Sequence, residues 1–202
     1  MTKQTAAAGT ESRSARFMKS ALAILGETGR TDFTVLEVAE RSQTSLRSFY
    51  QRFSSKDELL LALIDEIMVE STRKWRADTD GLPSVTALRM LIDRVCAPTE
   101  SSKQDRVNRG LARYFDHLAE TLPREYARVL VPLHELFKDI INRGIGEDSF
   151  RAGLGVDATA ALIMQSALGA MRHRVLGMEL SGAPIDAGHV YDFCLNGLVA
   201  PR

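Results

Sequence analysis

The chain has 202 residues, of which 45% are hydrophobic and 26% charged, so it is long enough for one or two domains with a sizeable core. These are globular values, and they exclude a disordered or collagen-like chain. No stretch approaches the roughly 18 uncharged apolar residues of a membrane helix, and the N-terminus lacks the apolar segment of a signal peptide. We therefore expect a cytoplasmic protein without membrane contact.

The charges are unevenly distributed along the chain, although 26 basic and 26 acidic residues cancel overall. Residues 1–56 carry nine basic and five acidic side chains, a net charge of +4, which leaves −4 for the remainder. This asymmetry indicates that the N-terminal part is the part that meets an anionic surface.

The apolar residues recur at helical spacing along the chain, and strand alternation is absent, so we predict an all-α fold. The first 13 residues, which are alanine-rich at their start, are expected to form a mobile tail. The predicted helices lie at or near 14–28, 34–41, 46–53, 57–76, 84–97, 104–121, 123–144, 157–179 and 186–198.

Short polar residues mark several predicted helix starts, because their side chains accept hydrogen bonds from the free N–H groups of the first turn. Thr34 with Glu37 has the spacing of a reciprocal capping box, and so has Ser55 with Glu58. The other predicted N-caps are Ser45, Asp157 and Asp186, and Gly29 is predicted to end the first helix.

The second and third predicted helices are short and separated by residues 42–44, which is typical of a DNA-reading helix-turn-helix. A specific residue pattern accompanies them: Gly29, Thr34, Val35, Val38, Ala39, Ser45, Phe49, Tyr50, Phe53, Lys56, Asp57, Glu58 and Leu59. With this pattern, the chain from Phe17 to Leu63 closely resembles the tetracycline-repressor (TetR) family of bacterial transcription regulators. Two departures are Gln43 and Arg47, which stand where the family often has glycine.

The resemblance implies an N-terminal three-helix DNA-binding domain over 14–56. A long fourth helix joins it to a C-terminal helical bundle for ligand binding and dimerisation over 57–202. It also implies a function: a ligand-responsive, homodimeric regulator of double-stranded operator DNA, most often a repressor. The alternative is a helical small-molecule-binding protein or enzyme in which the helix-turn-helix has a structural role.

The third helix is expected to read the major groove, with Phe49 and Phe53 turned inward. Arg47 suits the two acceptors of a guanine and Gln51 suits adenine, whereas Tyr50 suits phosphate. The helical period leaves Leu46 open between a core position and a contact with a thymine methyl. The complete predicted DNA-binding set is Thr34, Ser45, Arg47, Ser48, Tyr50, Gln51, Arg52 and Lys56.

A pocket for a small, largely apolar ligand is predicted among the C-terminal helices, from apolar residues with a few polar groups between them. For each residue the alternative is ordinary core packing, and Gly110 would either leave room for the ligand or permit close helix packing. The predicted pocket residues are Trp75, Tyr114, Phe115, His117, Leu118, Phe137, Met164, Gln165, Leu168, Met171 and Arg172.

A two-fold dimer is predicted through the last two long helices, since their small residues allow close approach and their apolar residues add contact area. The alternative is that these residues close the core of one chain. The predicted set is Ala158, Ala160, Ala161, Leu162, Ile163, Ser166, Ala167, Gly169, Ala170, Val190, Phe193 and Leu198.

No catalytic, metal or cofactor site is predicted. None of the four histidines stands in a metal-binding pair, and no phosphate-binding glycine loop or nucleophile elbow is present. Cys96 and Cys194 each lie alone in an apolar helical pattern and are expected to be reduced core residues.

Overall fold

The computed structural model describes residues 12–98, 101–178 and 182–199. These ranges contain nine helices and no strand, so the predicted all-α class is confirmed. The helices are α1 (Arg13–Thr28), α2 (Val35–Arg41), α3 (Leu46–Tyr50), α4 (Lys56–Thr79), α5 (Ser84–Cys96), α6 (Ser102–Thr121), α7 (Pro123–Gly146), α8 (Val156–Leu176) and α9 (Ala187–Leu198). Of the predicted tail, only positions 12 and 13 are described, as the cap and first residue of α1. No helix within the described ranges combines the length and the apolar content needed to cross a membrane.

Most predicted helix starts are confirmed. Thr34 and Glu37 form the reciprocal capping box of α2, since the Thr34 side chain accepts from Glu37 N and the Glu37 side chain accepts from Thr34 N. Ser45 caps α3, and Asp186 caps α9. These caps depend on contacts three residues apart, and such local contacts can be predicted from spacing.

Two predicted caps need correction. Ser55 caps α4, but the Glu58 carboxylate accepts from Ser54 N at 2.6 Å, so the reciprocal contact reaches one residue further back than a capping box would. Asp157 is not the N-cap of α8, because the helix begins after Gly155. Asp157 lies in the first turn instead, where a carboxylate is favourable, and it pairs with Lys138 of α7 at 3.0 Å.

Helices α3 and α8 each end three residues earlier than predicted. Helix α3 ends at Tyr50, because Arg52 N donates to Phe49 O and the chain enters a tighter turn. This turn places Phe53 on the buried side of the helix. Helix α8 ends at Leu176, because Gly177 adopts a left-handed conformation with φ 68°.

The buried side chains form two clusters. The N-terminal core joins α1, the helix-turn-helix and the first half of α4 with α6, and its largest fully buried members are Phe17, Leu25, Phe49, Leu59, Leu60 and Leu118. The C-terminal core joins α5, α7, α8 and α9, and its largest are Leu88, Leu91, Ile92, Leu133, Phe137 and Ile140. The N-terminal core therefore continues beyond residue 56 into the later helices.

Helix α6 packs directly against α1 at Gly110. A Cβ atom there would lie 2.9 Å from Leu25 Cδ2 and 3.3 Å from Gly29 O. Of the two interpretations left open by the sequence, the structure therefore supports close helix packing.

Both cysteines are free and buried, as predicted. Cys96 ends α5 and Cys194 lies in α9, and both belong to the C-terminal core. Burial raises the pKa of the Cys96 thiol to about 11, so it remains protonated at neutral pH.

Gly144 allows Phe150 to fold back onto the end of α7. A Cβ atom at Gly144 would lie 2.1 Å from Phe150 Cδ2, and Phe150 is itself only 3% exposed. We expect Gly144→Ala to destabilise the protein by about 1–3 kcal/mol, because the ring has no free space to move into. Urea unfolding would measure this change. Gly146→Ala, in the same helix end with no atom within 4 Å of its Cβ position, is the control and should be neutral or slightly stabilising. Equal stability of the two variants would contradict the prediction.

Candidate nucleic-acid interface

Helices α2 and α3 are joined by a turn whose second residue is Gln43, with φ 54°. This left-handed conformation is the one that the family's glycine would favour, and Gln43 adopts it at a cost on the order of 1 kcal/mol. The turn is held by Ser42, whose hydroxyl donates to Ala39 O at 3.0 Å, and by Thr44 N, which donates to the same carbonyl at 2.9 Å. The helix-turn-helix geometry is thus completed without glycine.

Helix α3 is anchored by aromatic packing on its inner side. The Phe49 ring is fully buried, 5.3 Å from the Phe17 ring of α1 in an edge-to-face arrangement, and Phe53 packs 6.3 Å from Phe17. Such pairs add to the free energy of ordinary apolar burial. A short helix is thereby fixed in orientation on α1, as a groove-reading helix requires.

The outer side of α3 exposes the predicted base-reading residues. Arg47, Tyr50 and Gln51 are all exposed, and Tyr50 rests edge-on against Phe49 with ring centroids 5.5 Å apart. The guanidinium groups of Arg47 and Arg52 make no hydrogen bond or ion pair with the residues that the structure describes. Arg47 and Arg52 therefore project from the helix-turn-helix surface without a partner in the described part of the chain.

Leu46 and Leu36 add apolar area to this surface. Leu46, left open by the sequence, is 39% exposed, and Leu36 of α2, whose outward position the sequence did not indicate, is 50% exposed. The structure thus supports an outward position for Leu46.

The two predicted serines lie at the start of α3. The Ser45 hydroxyl accepts from Ser48 N at 3.2 Å and lies 3.2 Å from Ser48 Oγ. Ser45 is exposed and Ser48 is half-buried. Both hydroxyls therefore lie beside the free N–H groups of the α3 N-terminus.

Thr34 is exposed, but its hydroxyl is engaged with Glu37. That hydroxyl donates to Glu37 Oε2 at 2.9 Å, and the hydrogen bond from Thr34 N lowers the pKa of the Glu37 carboxyl. The N-terminus of α2 therefore already holds a carboxylate, which a DNA phosphate would have to displace.

Lys56 has a structural role that the sequence did not indicate. Its Nζ donates to Thr31 O at 2.9 Å and to Phe33 O at 3.3 Å, and lies 5.5 Å from the centre of the Phe33 ring. Lys56 thus attaches α4 to the loop before α2.

Other cations of this region are also held by the protein itself. Arg41 pairs with Glu27, and Arg16 donates to Ser42 O and so ties α1 to the turn. No spacing rule predicts a bond between residues 26 positions apart such as Arg16 and Ser42. Arg16 and Arg41 therefore stabilise the domain, whereas Arg47 and Arg52 are available to a partner.

The predicted pocket residues fall in different parts of the fold. Phe137, Met164, Leu168 and Trp75 belong to or pack on the C-terminal core, whereas Tyr114, Phe115 and Leu118 belong to or pack on the N-terminal core. Gln165 is exposed and Met171 is half-buried. Arg172 pairs with Asp116, and both Tyr114 and His117 contact Asp57.

The predicted dimer residues divide into two groups. Ala160, Ile163, Ala167, Ala170, Val190 and Leu198 are buried in the core of their own chain, so for these six the alternative of core packing holds. Leu162 and Phe193 are 70% and 78% exposed. Ala158 is also exposed, while Ala161, Ser166 and Gly169 are half-buried.

Comparison with known proteins gives the same assignment for the helix-turn-helix. Residues 17–63 match the family model described as bacterial regulatory proteins, tetR family. The uncharacterised HTH-type transcriptional regulator YvdT of Bacillus subtilis (strain 168) is 23% identical over 173 residues, which cover 84% of this chain and 86% of YvdT.

Solved structures extend the likeness to the whole fold. The Bacillus subtilis regulator FadR, solved in complex with stearoyl-CoA, superposes with a TM-score of 0.70 at 16% identity, covering 92% of this chain and 97% of FadR. The Thermus thermophilus TetR-family repressor FadR, in complex with lauroyl-CoA, gives a TM-score of 0.71 at 15% identity, covering 94% and 97%. The helix-turn-helix of residues 17–63 thus matches the tetR family of bacterial regulatory proteins, and the chain as a whole has the helical fold of transcriptional regulators of that family.

Proposed function

We propose that this regulator is a homodimeric repressor that binds double-stranded operator DNA through α3 and leaves it when a small, largely apolar molecule binds. The observation that carries the proposal is the surface of α3. Its inner side is anchored by buried Phe49, while its outer side presents Arg47 and Tyr50 to solvent. An exposed guanidinium without a partner among the described residues is available to a guanine edge in the major groove.

The predicted contacts divide by chemistry. Arg47 and Gln51 reach base edges, and Tyr50 and Arg52 contact phosphates, with Ser45 and Ser48 at the α3 N-terminus beside them. Thr34 and Lys56 are also assigned to phosphates. To contact a phosphate, each must first give up or share its present hydrogen-bond partners. Specificity should therefore depend on the first pair of residues more than on the others.

The domain division follows from this assignment. Residues 14–56 form the DNA-binding domain and 57–202 the ligand-binding and dimerisation domain, with α6 packed against both. The proposed role is binding without a catalysed reaction, in the cytoplasm where the operator lies.

The ligand half of the proposal is supported by the apolar bundle of α5, α7 and α8. Two proteins of the same fold hold fatty-acyl thioesters, stearoyl-CoA and lauroyl-CoA. A ligand with an apolar chain suits an interior built from Phe137, Met164 and Leu168. These two thioesters are therefore the first probes to use.

Dimerisation is assigned to the outward faces of α8 and α9. Leu162 and Phe193 expose most of their apolar surface there. Gly169 and Gly197 on the same helices have no atom within 4 Å of a Cβ position, which leaves backbone open to a neighbouring helix. A two-fold pairing of these faces would cover both large side chains.

Selection of DNA from a random-sequence library by the full chain tests the DNA-binding function. We expect recovery of a two-fold symmetric site, with an affinity that falls steeply as salt increases, because phosphate contacts release counterions. A scrambled duplex of equal length is the control. Recovery of no preferred sequence would overturn the proposal.

Calorimetry with lauroyl-CoA and stearoyl-CoA tests the release mechanism. We expect at least one to bind free protein more tightly than operator-bound protein, by about 5- to 150-fold, because coupling between two sites is reciprocal. Coenzyme A without an acyl chain is the control. Equal affinity for free and operator-bound protein would refute release by these acyl chains, and the DNA selection would stand independently.

A further inference from the structure

One face of α6 contacts the DNA-binding half along its length. Arg106, Gly110, Tyr114 and His117 follow each other at intervals of four, four and three residues, so they lie on one side of the helix. Arg106 Nε donates to Gly26 O at 2.6 Å, and Gly110 packs against the end of α1. Arg106 and Gly110 therefore attach this face of α6 to α1.

Tyr114 and His117, the other two residues of this face, contact a single carboxylate of α4. The Tyr114 hydroxyl donates to Asp57 Oδ1, and His117 Nε2 lies 3.3 Å from Asp57 Oδ2. Tyr114 is only 7% exposed, and burial, reinforced by Asp57, raises the pKa of its phenol, so the hydroxyl stays protonated and remains a donor. We call Asp57, Tyr114 and His117 the Asp57 contact.

Asp57 lies between two residues that reach into the helix-turn-helix. Lys56 donates to the carbonyls of Thr31 and Phe33, just before α2, and Glu58 accepts from Ser54 N, just after α3. All three side chains belong to the first turn of α4. A shift of this turn therefore moves both ends of the DNA-reading unit.

The two ends of the α6 face differ in how easily they can open. Gly110 is packed on backbone and on the buried Leu25, so separation there would create a cavity. The Asp57 side chain is 31% exposed and that of His117 is 46% exposed, so water can replace their mutual contact at small cost. The contact between His117 and Asp57 therefore opens more easily than the packing at Gly110.

We propose that Tyr114 and His117 are positioning residues which, through Asp57, fix the first turn of α4 and thereby the orientation of each DNA-binding head relative to the rest of its chain. The proposal rests on the DNA-binding function proposed above. In a dimer, such an orientation sets the spacing of the two heads, which matters for a symmetric operator and not for a single half-site.

The test compares variants of the full chain on two DNA duplexes, the selected symmetric operator and the same duplex with one half-site scrambled. Tyr114→Phe removes the hydroxyl and keeps the ring, His117→Ala removes the second contact, and a double variant removes both. Tyr126→Phe is the matched control, because this half-buried tyrosine has a hydroxyl without a hydrogen-bond partner among the described parts of the chain.

We expect the double variant to bind the symmetric operator about tenfold more weakly and the single half-site within about twofold of wild type, since only the spacing of the heads is lost. His117→Gln, which keeps an N–H donor, should recover part of the loss. Hydrogen exchange should accelerate at residues 31–34 and 55–58 in the double variant and not in Tyr126→Phe.

Three results would overturn the proposal: symmetric-operator affinity that is not lowered, an equal loss on both duplexes, or unchanged hydrogen exchange. An equal loss would show that the contact only stabilises the domain, which urea unfolding would register as well. If Tyr114→Phe does not fold, His117→Ala carries the test, because the His117 side chain is exposed. Failure of wild-type protein to select any DNA would instead refute the proposed function.

Discussion

Phe193→Asp is expected to convert the proposed dimer into a monomer and to weaken binding to a symmetric operator by about a hundredfold or more, because the second half-site is then no longer bound intramolecularly. Phe193 is 78% exposed on α9, and Leu162 is 70% exposed on α8. A charge placed at the centre of an apolar interface would have to lose its water. Sedimentation measures the dimer, and fluorescence anisotropy measures the affinity.

Val69→Asp is the matched control for this substitution. Val69 of α4 is also exposed, at 49%, but it lies on neither of the proposed interface helices. We expect this variant to remain dimeric and to bind DNA like wild type, and Leu162→Asp to behave like Phe193→Asp. A Phe193→Asp protein that still sediments as a dimer would exclude the α8 and α9 faces as the interface.

Arg47→Ala is expected to weaken operator binding by about 1–3 kcal/mol per half-site and to relax the base preference at one position of each half-site. Arg47 is exposed on α3, and its guanidinium has no partner among the residues described, so its removal leaves the free protein intact. Anisotropy with the selected operator and with a set of single-base variants measures both effects.

Arg52→Ala is the control for base reading, because Arg52 is also an exposed arginine without a partner in the described structure. It should weaken binding to all sequences alike and reduce the slope of log affinity against log salt by about 1. Lys56→Ala is less suited to this purpose, since Lys56 also holds the carbonyls of Thr31 and Phe33. Equal losses on selected and random DNA for Arg47→Ala would show that Arg47 contacts phosphate.

Two of the corrections arise where a neighbouring segment changes the local outcome. At α3 the chain turns early, so that Phe53 can pack 6.3 Å from Phe17. Asp157 likewise serves as the partner of Lys138 of α7, while Gly155 starts the helix without a side-chain cap. Local preference predicts that a helix exists more reliably than it predicts where the helix ends.

The sequence by itself determined the features that depend on neighbours within one helical turn. The Thr34 and Glu37 capping box, the Ser45 cap and the inward position of Phe49 all follow from residue type and spacing, and all are present. The left-handed turn at Gln43 was also identifiable, because Gln43 stands where the family that the sequence resembles often has glycine. For this reason the helix-turn-helix and the exposed side of α3 could be predicted.

Only the tertiary structure decided which side chains meet across long separations and which apolar face belongs to the chain's own core. Asp57 and Tyr114 are 57 positions apart, and no periodicity links them. On α8 the pattern is apolar around much of the helix, so Ile163 and Leu162 could not be told apart by type, yet Ile163 is 3% exposed and Leu162 70%. The helical period shows that one face of a helix is apolar. The packing of the other helices decides whether that face is buried in the core of the same chain.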